Sequence, residues 1–363
     1  VAGSEREFDL VLVTGAGASC EFGVGGARLP LMGDWSKNLL GRLRETGADG
    51  FADAVGLTEE MDGVQFEQRL GDFLREVAAF RLAAPLMQPL GLALDAPPPR
   101  PERWTDWNGW HGAASHQLEQ MLAVIYESLY EQFGAPNIDD GAVRVAFENL
   151  LSHLGIDGSS RWVYATTNYD VIADDAIRSV GAEVDDGTIA RPQHAERTFK
   201  IEGLVRSRHV PLMHLHGRVG WFTRPDGAPY ASDGHRTYNR DAGVPIIVLP
   251  DTEKNLASDQ IINAMWGEFR QALRTAERVF VLGHSLHDEQ LIQALAEDVQ
   301  GPLGVAVLAQ ERPGHDPNEI TSEGQEVAGR VARDLPSATV IPMRFGRQHG
   351  PDEPPHLTRW LTA

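Results

Sequence analysis

The stretch FDLVLVTGAGAS, Phe8–Ser19, decides how the rest of the chain is read. Leu10 to Val13 is an unbroken apolar run that stops at Thr14 and gives way to Gly15-Ala16-Gly17-Ala18-Ser19. An apolar run without polar alternation suits a strand buried on both faces, as in a parallel sheet covered by helices. Ligands of such sheets bind beyond the carboxyl ends of the strands. Glycines there allow a tight turn and a close backbone approach to a diphosphate, whose charge the following helix N-terminus favours. The dehydrogenase fingerprint wants a third glycine three residues after Gly17; this chain has Cys20 there. It also wants an acid ending a second strand about 20 residues on, where Trp35–Leu43 reads as a helix. The loop therefore speaks for a nucleotide diphosphate and poorly for a dehydrogenase. The alternative is a strand-to-helix turn with no ligand.

The same break recurs three times. In WVYATTNYDVIAD, Trp162–Asp174, a buried strand ends in Thr166-Thr167-Asn168-Tyr169-Asp170 before a helical pattern resumes. Thr166, Thr167, Asn168 and Asp170 would project toward whatever the glycine loop holds. Asn168 both donates and accepts, which suits a ribose hydroxyl or a water. Asp170 serves equally well as a helix cap or as a ligand. In PLMHLHGRVGW, Pro211–Trp221, His216 stands before Gly217 where a strand ends, a position suited to a general base near neutral pH. His214 reads as a satisfied core residue. In VFVLGHSLHDEQL, Val279–Leu291, Gly283 and Ser285 would close the other side of a phosphate or ribose pocket. Asp288 there reads equally as the N-cap of the next helix.

Further strands are expected at Ile246–Leu249, Val305–Leu308 and Thr339–Met343, with a hairpin in Gly220–Ala231 around Asp226-Gly227. Helices are expected at Phe66–Phe80, Ser115–Phe133, Ala257–Thr275, Asp288–Asp298 and Glu319–Arg333. The proline-rich break Leu94–Trp104 separates the first two of these. Strand and helix alternate, so the fold is α/β: a Rossmann-like parallel sheet covered by helices on both faces, with a mostly helical insertion. The core is expected over 1–48 and 160–347, the insertion over 49–159, and a C-terminal tail over 348–363.

Composition bounds the function. The 363 residues carry a net charge of −20, which argues against a broad phosphate-binding surface. The single cysteine, Cys20, excludes an internal disulfide and a cysteine-rich zinc site. No apolar run approaches the roughly 20 residues needed to span a bilayer, and the first residues do not read as a secretory signal. A cytoplasmic protein without membrane contact is the expectation.

The glycine loop, Thr-Asn-x-Asp, Leu-His-Gly and Gly-x-Ser, in that order, together resemble the Sir2 family, specifically its bacterial Sir2-like branch in antiviral defence. The likeness covers roughly residues 6–45 and 160–310. It implies that Gly15, Ala16, Gly17 and Ser19 embrace the diphosphate of NAD, with Thr167 among the cofactor-binding residues, and that Asn168 and Asp170 line the nicotinamide-ribose pocket. It also makes His216 the catalytic base and places Gly283 and Ser285 on the adenosine side. The departures narrow the activity. Deacetylases of the family carry paired Cys-x-x-Cys motifs after the catalytic histidine, and this chain has no cysteine after Cys20. Their Pro-Asp-Phe-Arg is absent too, with Leu29-Pro30-Leu31 standing nearby. The resemblance thus implies NAD hydrolysis, with NAD as substrate and no metal, more than deacetylation. It further implies control by homo-oligomerisation or by a nucleic-acid-sensing partner, such as an Argonaute-type protein or a DNA-translocating ATPase.

Two other classes compete. A metal-dependent hydrolase would use His214 and His216 with His284, His287 and Asp288 as ligands. A sensor would bind NAD or ADP-ribose without turnover, although a pure binder has no need of both Asn168 and His216. Trp104, Trp107 and Trp110, spaced by three, read as a buried helical stripe.

Overall fold

The structure is a computed structural model that describes residues 6–20, 22–23, 32–45, parts of 56–73, 107–133 (side chains from 120), 138–190, 196–224, 227–232, 243–248, 260–309, 320–343, 345 and 360–361. The chain divides into two units. One comprises Val1–Leu31, Phe133–Val248 and Thr252–Ala363; the other comprises Met32–Gln132 with Leu249–Asp251.

The first unit is built on strand β1, Leu10–Thr14, every residue of which is buried. β1 pairs in parallel with β2 (Trp162–Thr166) on one side and with β10 (Val279–Leu282) on the other. Outward from β2 follow β6 (Val210–His214) and the short β3 (Val184–Asp185). Outward from β10 follow β11 (Leu303–Leu308) and β12 (Thr339–Met343). All seven strands are parallel. Strand order reverses direction at β1, so the crevice between the ends of β1 and β10 is the switch point where such sheets bind ligands.

Alternation along each central strand explains why the runs read as continuously apolar. Val11, Val13, Val163, Ala165, Val279 and Val281 face one core, while Leu10, Leu12, Trp162, Tyr164, Phe280 and Leu282 face the other. The first core is closed by helices α5 (Gln260–Thr275) and α6 (Glu289–Asp298), through Met265, Trp266, Phe269, Leu291 and Leu295. Val331 of α7 (Ser322–Asp334) joins them. The second core is closed by α3 (Asp140–His153) and α4 (Ile172–Ser179), through Val143, Phe147, Leu150, Ile172 and Ile177. Each such side chain, fully withdrawn from water, contributes about 1.5–3 kcal/mol before the entropy of ordering it.

Two features depart from the sequence expectation. The expected strand Ile246–Leu249 forms as β9, Val244–Ile247, and it does not join the parallel sheet. It edges a second, five-stranded sheet in the order β4 (Thr188–Ala190), β5 (Glu196–Phe199), β8 (Pro229–Ser232), β7 (Gly217–Thr223), β9, whose pairs are antiparallel. Pro245 within β9 has no N–H to give a ladder, which suits it to an edge. The expected hairpin is β7–β8, with Trp221 opposite Ala231. The second departure is α3, read as part of the insertion, which instead packs Val143, Phe147, Leu150 and Leu151 against the parallel sheet.

In the second unit, α1 (Met32–Glu45) and α2 (Trp107–Phe133) are joined by polar side chains. Trp35 Nε1 donates to Ser128 Oγ at 3.1 Å, Asn38 Nδ2 donates to Gln132 Oε1 at 2.9 Å, and Arg42 pairs with Glu131. Trp35 also meets Phe66 edge-on at 5.7 Å. Trp104, Leu94–Trp104 and the side chains of Trp107 and Trp110 lie outside the described residues, as does Leu29-Pro30-Leu31.

Candidate functional site

The four sequence breaks end at one edge of the parallel sheet. Thr14 is in register with Thr166 and with Leu282, and Thr166 with His214, so the four loops leave the sheet side by side.

The glycine loop and the β10 loop interlock. Gly17 N–H donates to Gly283 O at 2.9 Å. A Cβ at Gly15 would stand 2.7 Å from Gly283 O, and one at Gly283 would stand 2.1 Å from Ala18 N. Gly283 also has a φ of +65°, which side chains avoid. The N–H groups of Gly15, Ala18 and Ser19 donate to the carbonyls of Leu282, Gly15 and Ala16. The glycines thus have a packing reason that stands whether or not a diphosphate is bound. Ala16 and Gly17 are nevertheless exposed at the crest of the loop, at the switch point.

Asn168 is tied to that loop. Its Nδ2 donates to Gly15 O at 3.1 Å and to Ser19 Oγ at 2.8 Å. Both amide hydrogens are thereby directed into the protein, and Oδ1 is the atom Asn168 can offer a ligand. Its backbone N–H is held by Thr166 Oγ1 at 3.1 Å. The half-buried Thr167 leans its hydroxyl on Thr14 O at 3.5 Å. Asp170 accepts the Ile172 N–H at 3.0 Å, at the start of α4. Burial pushes the Asp170 carboxyl above its ordinary range, against the pull of the Ile172 N–H, the Ser19 hydroxyl and His214. Ser19, Asn168 and Asp170 therefore form one buried group, 8% exposed or less at each member.

His214 and His216 part company. His214 is fully buried at the end of β6 and stands 3.5 Å from Asp174 of α4. Arg218 Nη1 lies 3.2 Å from Asp174 and 3.4 Å from Asp186, and Arg197 lies 3.2 Å from Asp186. Burial alone would raise the Asp174 carboxyl, but Arg218, His214 and Arg178 outweigh it and hold it at about 2. The reading of His214 as a core residue matches this placement.

His216 sits in the turn between β6 and β7. Leu215 N–H donates to Thr166 O at 2.9 Å, Trp266 Nε1 donates to Leu215 O at 3.0 Å, and Val248 N–H donates to His216 O at 2.8 Å. Gly217 completes the turn with a φ of +80°, where a Cβ would fall 2.0 Å from Ile246 O. Only glycine fits, which is the physical content of the Leu-His-Gly motif. The His216 imidazole contacts Asp288 Oδ2 through Nε2 at 2.7 Å, and the Tyr169 ring lies 6.5 Å from it.

Asp288 is the residue whose part the sequence did not reveal. It caps α6 as expected, Oδ1 accepting from Gln290 and Leu291 N–H. The other oxygen reaches His216, 72 positions away, and no local pattern signals that contact. Gly283 is placed at the interlock, whereas Ser285 is exposed and its carbonyl accepts from Arg330 at 2.7 Å. The metal reading finds no matching geometry. His214 and His216 go to different carboxylates, and among the described residues no group of three or more His, Cys, Asp or Glu is placed to hold a metal.

The family model described as the SIR2-like domain matches residues 163–324. That span is similar to the SIR2-like domain and makes up less than half of the chain. The matched span holds Thr167 to Asp170, His216 and Gly283 to Asp288, while the glycine loop lies before it. No curated protein matches the sequence. Solved structures to which the chain is similar include one that bears on the mechanism and regulation of Sir2 enzymes, at 13% identity and a TM-score of 0.34, covering 91% of this chain and 94% of that one. Another is a mutant Sir2 homologue in complex with ADP-ribose, at 14% identity and a TM-score of 0.34, covering 90% and 93%. The fold class rests on the strand order and register described above. None of the described helices is long and apolar enough to cross a membrane.

Proposed function

We propose that the protein hydrolyses NAD⁺ at the bond between nicotinamide and ribose, releasing nicotinamide and ADP-ribose. One observation carries the reading: Ser19–Asn168–Asp170, which joins the glycine loop to the loop after β2, and His216–Asp288 on the neighbouring turns gather at the carboxyl ends of the strands, at the switch point of the sheet. The match to the SIR2-like domain, and the ADP-ribose bound by a similar Sir2 homologue, support the choice of dinucleotide.

The chemistry asks little of the protein. The C1′–N bond breaks with its electron pair leaving on nicotinamide, which departs neutral, while positive charge gathers on the ribose. A water oxygen forms the new bond to C1′, and its proton passes to His216 and then to solvent. Asn168 Oδ1 accepts a hydrogen bond from that water or from a ribose hydroxyl and so fixes the line of approach. Asp170 and Ser19 hold the carboxamide in place. Thr167 and the exposed crest of Ala16 and Gly17 border the diphosphate, with Ser285 on the adenosine side. With no cysteine-based zinc module in the sequence to support a peptide cleft, hydrolysis fits this chain better than deacylation.

Unchecked destruction of NAD would kill a host cell. The reading therefore includes gating, by self-association or by a protein partner that senses invading nucleic acid, as an NAD-depleting effector of antiviral defence. The test is nicotinamide and ADP-ribose release from NAD, followed by chromatography, with Asn168→Ala and His216→Ala beside the wild type. Release lost in both variants supports the site, each loss being about 10²–10⁴-fold for a general base or its aligned water. Release that survives in both moves the site elsewhere. Calorimetric binding without release favours a sensor, and no binding of NAD overturns the proposal.

A further inference from the structure

The geometry points to Asp288 as the positioning residue of His216: its carboxylate fixes the imidazole with the proton on Nε2, leaving Nδ1 as the nitrogen that takes a proton. The inference rests on the proposed role of His216 and adds to it a residue read from sequence as a helix cap or, in the competing metal reading, as a ligand.

Four observations carry it. The contact between His216 Nε2 and Asp288 Oδ2 is 2.7 Å, within the short range of charge-assisted pairs. Both side chains are buried, at 3% and 5% exposure, so water does not screen or replace the pair. The carboxylate cannot swing, because Oδ1 is anchored by the Gln290 and Leu291 N–H groups at 3.0 and 3.3 Å at the first turn of α6. The imidazole backbone is equally fixed, by Val248 N–H on His216 O and by the obligatory glycine at 217. A buried histidine–carboxylate contact thus joins two rigid mounts, the N-terminus of a helix and a glycine turn.

The chemistry follows from what a carboxylate is. It accepts hydrogen bonds and has none to give, so the nitrogen facing it must carry the hydrogen. In neutral His216 the lone pair then lies on Nδ1. Nδ1 is itself buried, so the attacking water must enter beside it when substrate binds; once Nδ1 takes its proton, the imidazolium faces Asp288 through Nε2–H, and the proton leaves by the same path when the base resets. The same division of labour, a base histidine oriented by an acceptor that never itself takes the proton, operates in hydrolases of unrelated folds. The sheet order also matters. β6 and β10, which carry His216 and Asp288, are separated by β1 and β2, whose ends carry the glycine loop and Asn168. The pair therefore ties together loops from both sides of the proposed substrate position.

The test separates orientation from helix capping. Asp288→Asn and Asp288→Ser both keep a strong N-cap. Asparagine presents an NH₂ group or a weaker acceptor to Nε2, and serine is too short to reach it. The imidazole nitrogens are read by ¹⁵N NMR on histidine-labelled protein, the His216 signals being assigned by their loss in His216→Gln. The expected wild-type state is the Nε2–H tautomer, giving way in both variants to the Nδ1–H form or a mixture, with Tm held within a few degrees. Turnover of NAD is expected to fall about 10²–10⁴-fold in kcat with KM little changed. An Nδ1–H tautomer in the wild type, an unchanged tautomer in the variants, or wild-type kcat in folded Asp288→Asn would each overturn the inference. If the tautomers behave as expected and the wild type neither binds nor turns over NAD, the positioning stands and the NAD hydrolase reading is what fails.

Discussion

His214 and His216 are separated by one residue and live in different electrostatic worlds. His214 belongs to a chain of charges, the buried Asp174, Arg218 and Asp186 and the half-buried Arg197, spaced at 3.2–3.5 Å and drawn from α4, β7, β5 and the turn before β4. His216 has a carboxylate contact at 2.7 Å, in a turn at the mouth of the sheet. The first arrangement balances charge inside the protein, where losing one member leaves another stranded. The second aims one ring. The pair teaches that a His-x-His pattern specifies neither role; the role is set by whether the strand has ended and by which carboxylate the fold delivers.

The largest effect that would break this contrast is expected at Asp174. Asp174→Ala leaves Arg218 with Asp186 alone, takes the carboxylate from buried His214 and should destabilise the protein by about 3 kcal/mol, read by urea unfolding. Loss of less than ~1 kcal/mol would mean that the His214 network is not structural. A smaller effect follows from pH. Asp174 falls from an ordinary 3.8 to about 2 on folding, so its contribution is complete above pH ~4 and is lost as pH falls through 2. The shift corresponds to about 2 kcal/mol. The unfolding free energies of wild type and Asp174→Asn should therefore converge between pH 4 and 2, and parallel curves would contradict the assignment. The smallest effect is expected at Asp170, whose carboxyl burial pushes up. Folding then loses stability as pH rises through the unfolded value, because the buried group must ionise. Asp170→Asn should raise Tm at neutral pH by about 1–2 °C while weakening turnover, and a fall in Tm would show the charged form to be the stabilised one.

Much of this was legible in the sequence for reasons that the fold makes plain. β2 and β10 fall where they were read, at Trp162–Thr166 and Val279–Leu282, because strands buried on both faces must be apolar throughout. Asn168 joined to Ser19, and His216 before an obligatory glycine, follow from strand ends that the same runs announce. Two features were hidden. Short strands such as β4 and β5 carry too few residues for a pattern, so of the small antiparallel sheet the sequence announces only the β7–β8 hairpin and the strand β9. The contact of Asp288 with His216 depends on two loops meeting across two intervening strands, and a capping aspartate looks the same with or without it.

The central claim is that His216 acts on bound NAD rather than supporting the fold. The most direct measurement is nicotinamide release by His216→Ala, with Tm and NAD affinity determined on the same preparation. The account predicts a loss of about 10²–10⁴-fold in release, with affinity within a few-fold of wild type and Tm unchanged within a few degrees. Release at the wild-type rate from a folded, NAD-binding His216→Ala protein would contradict it.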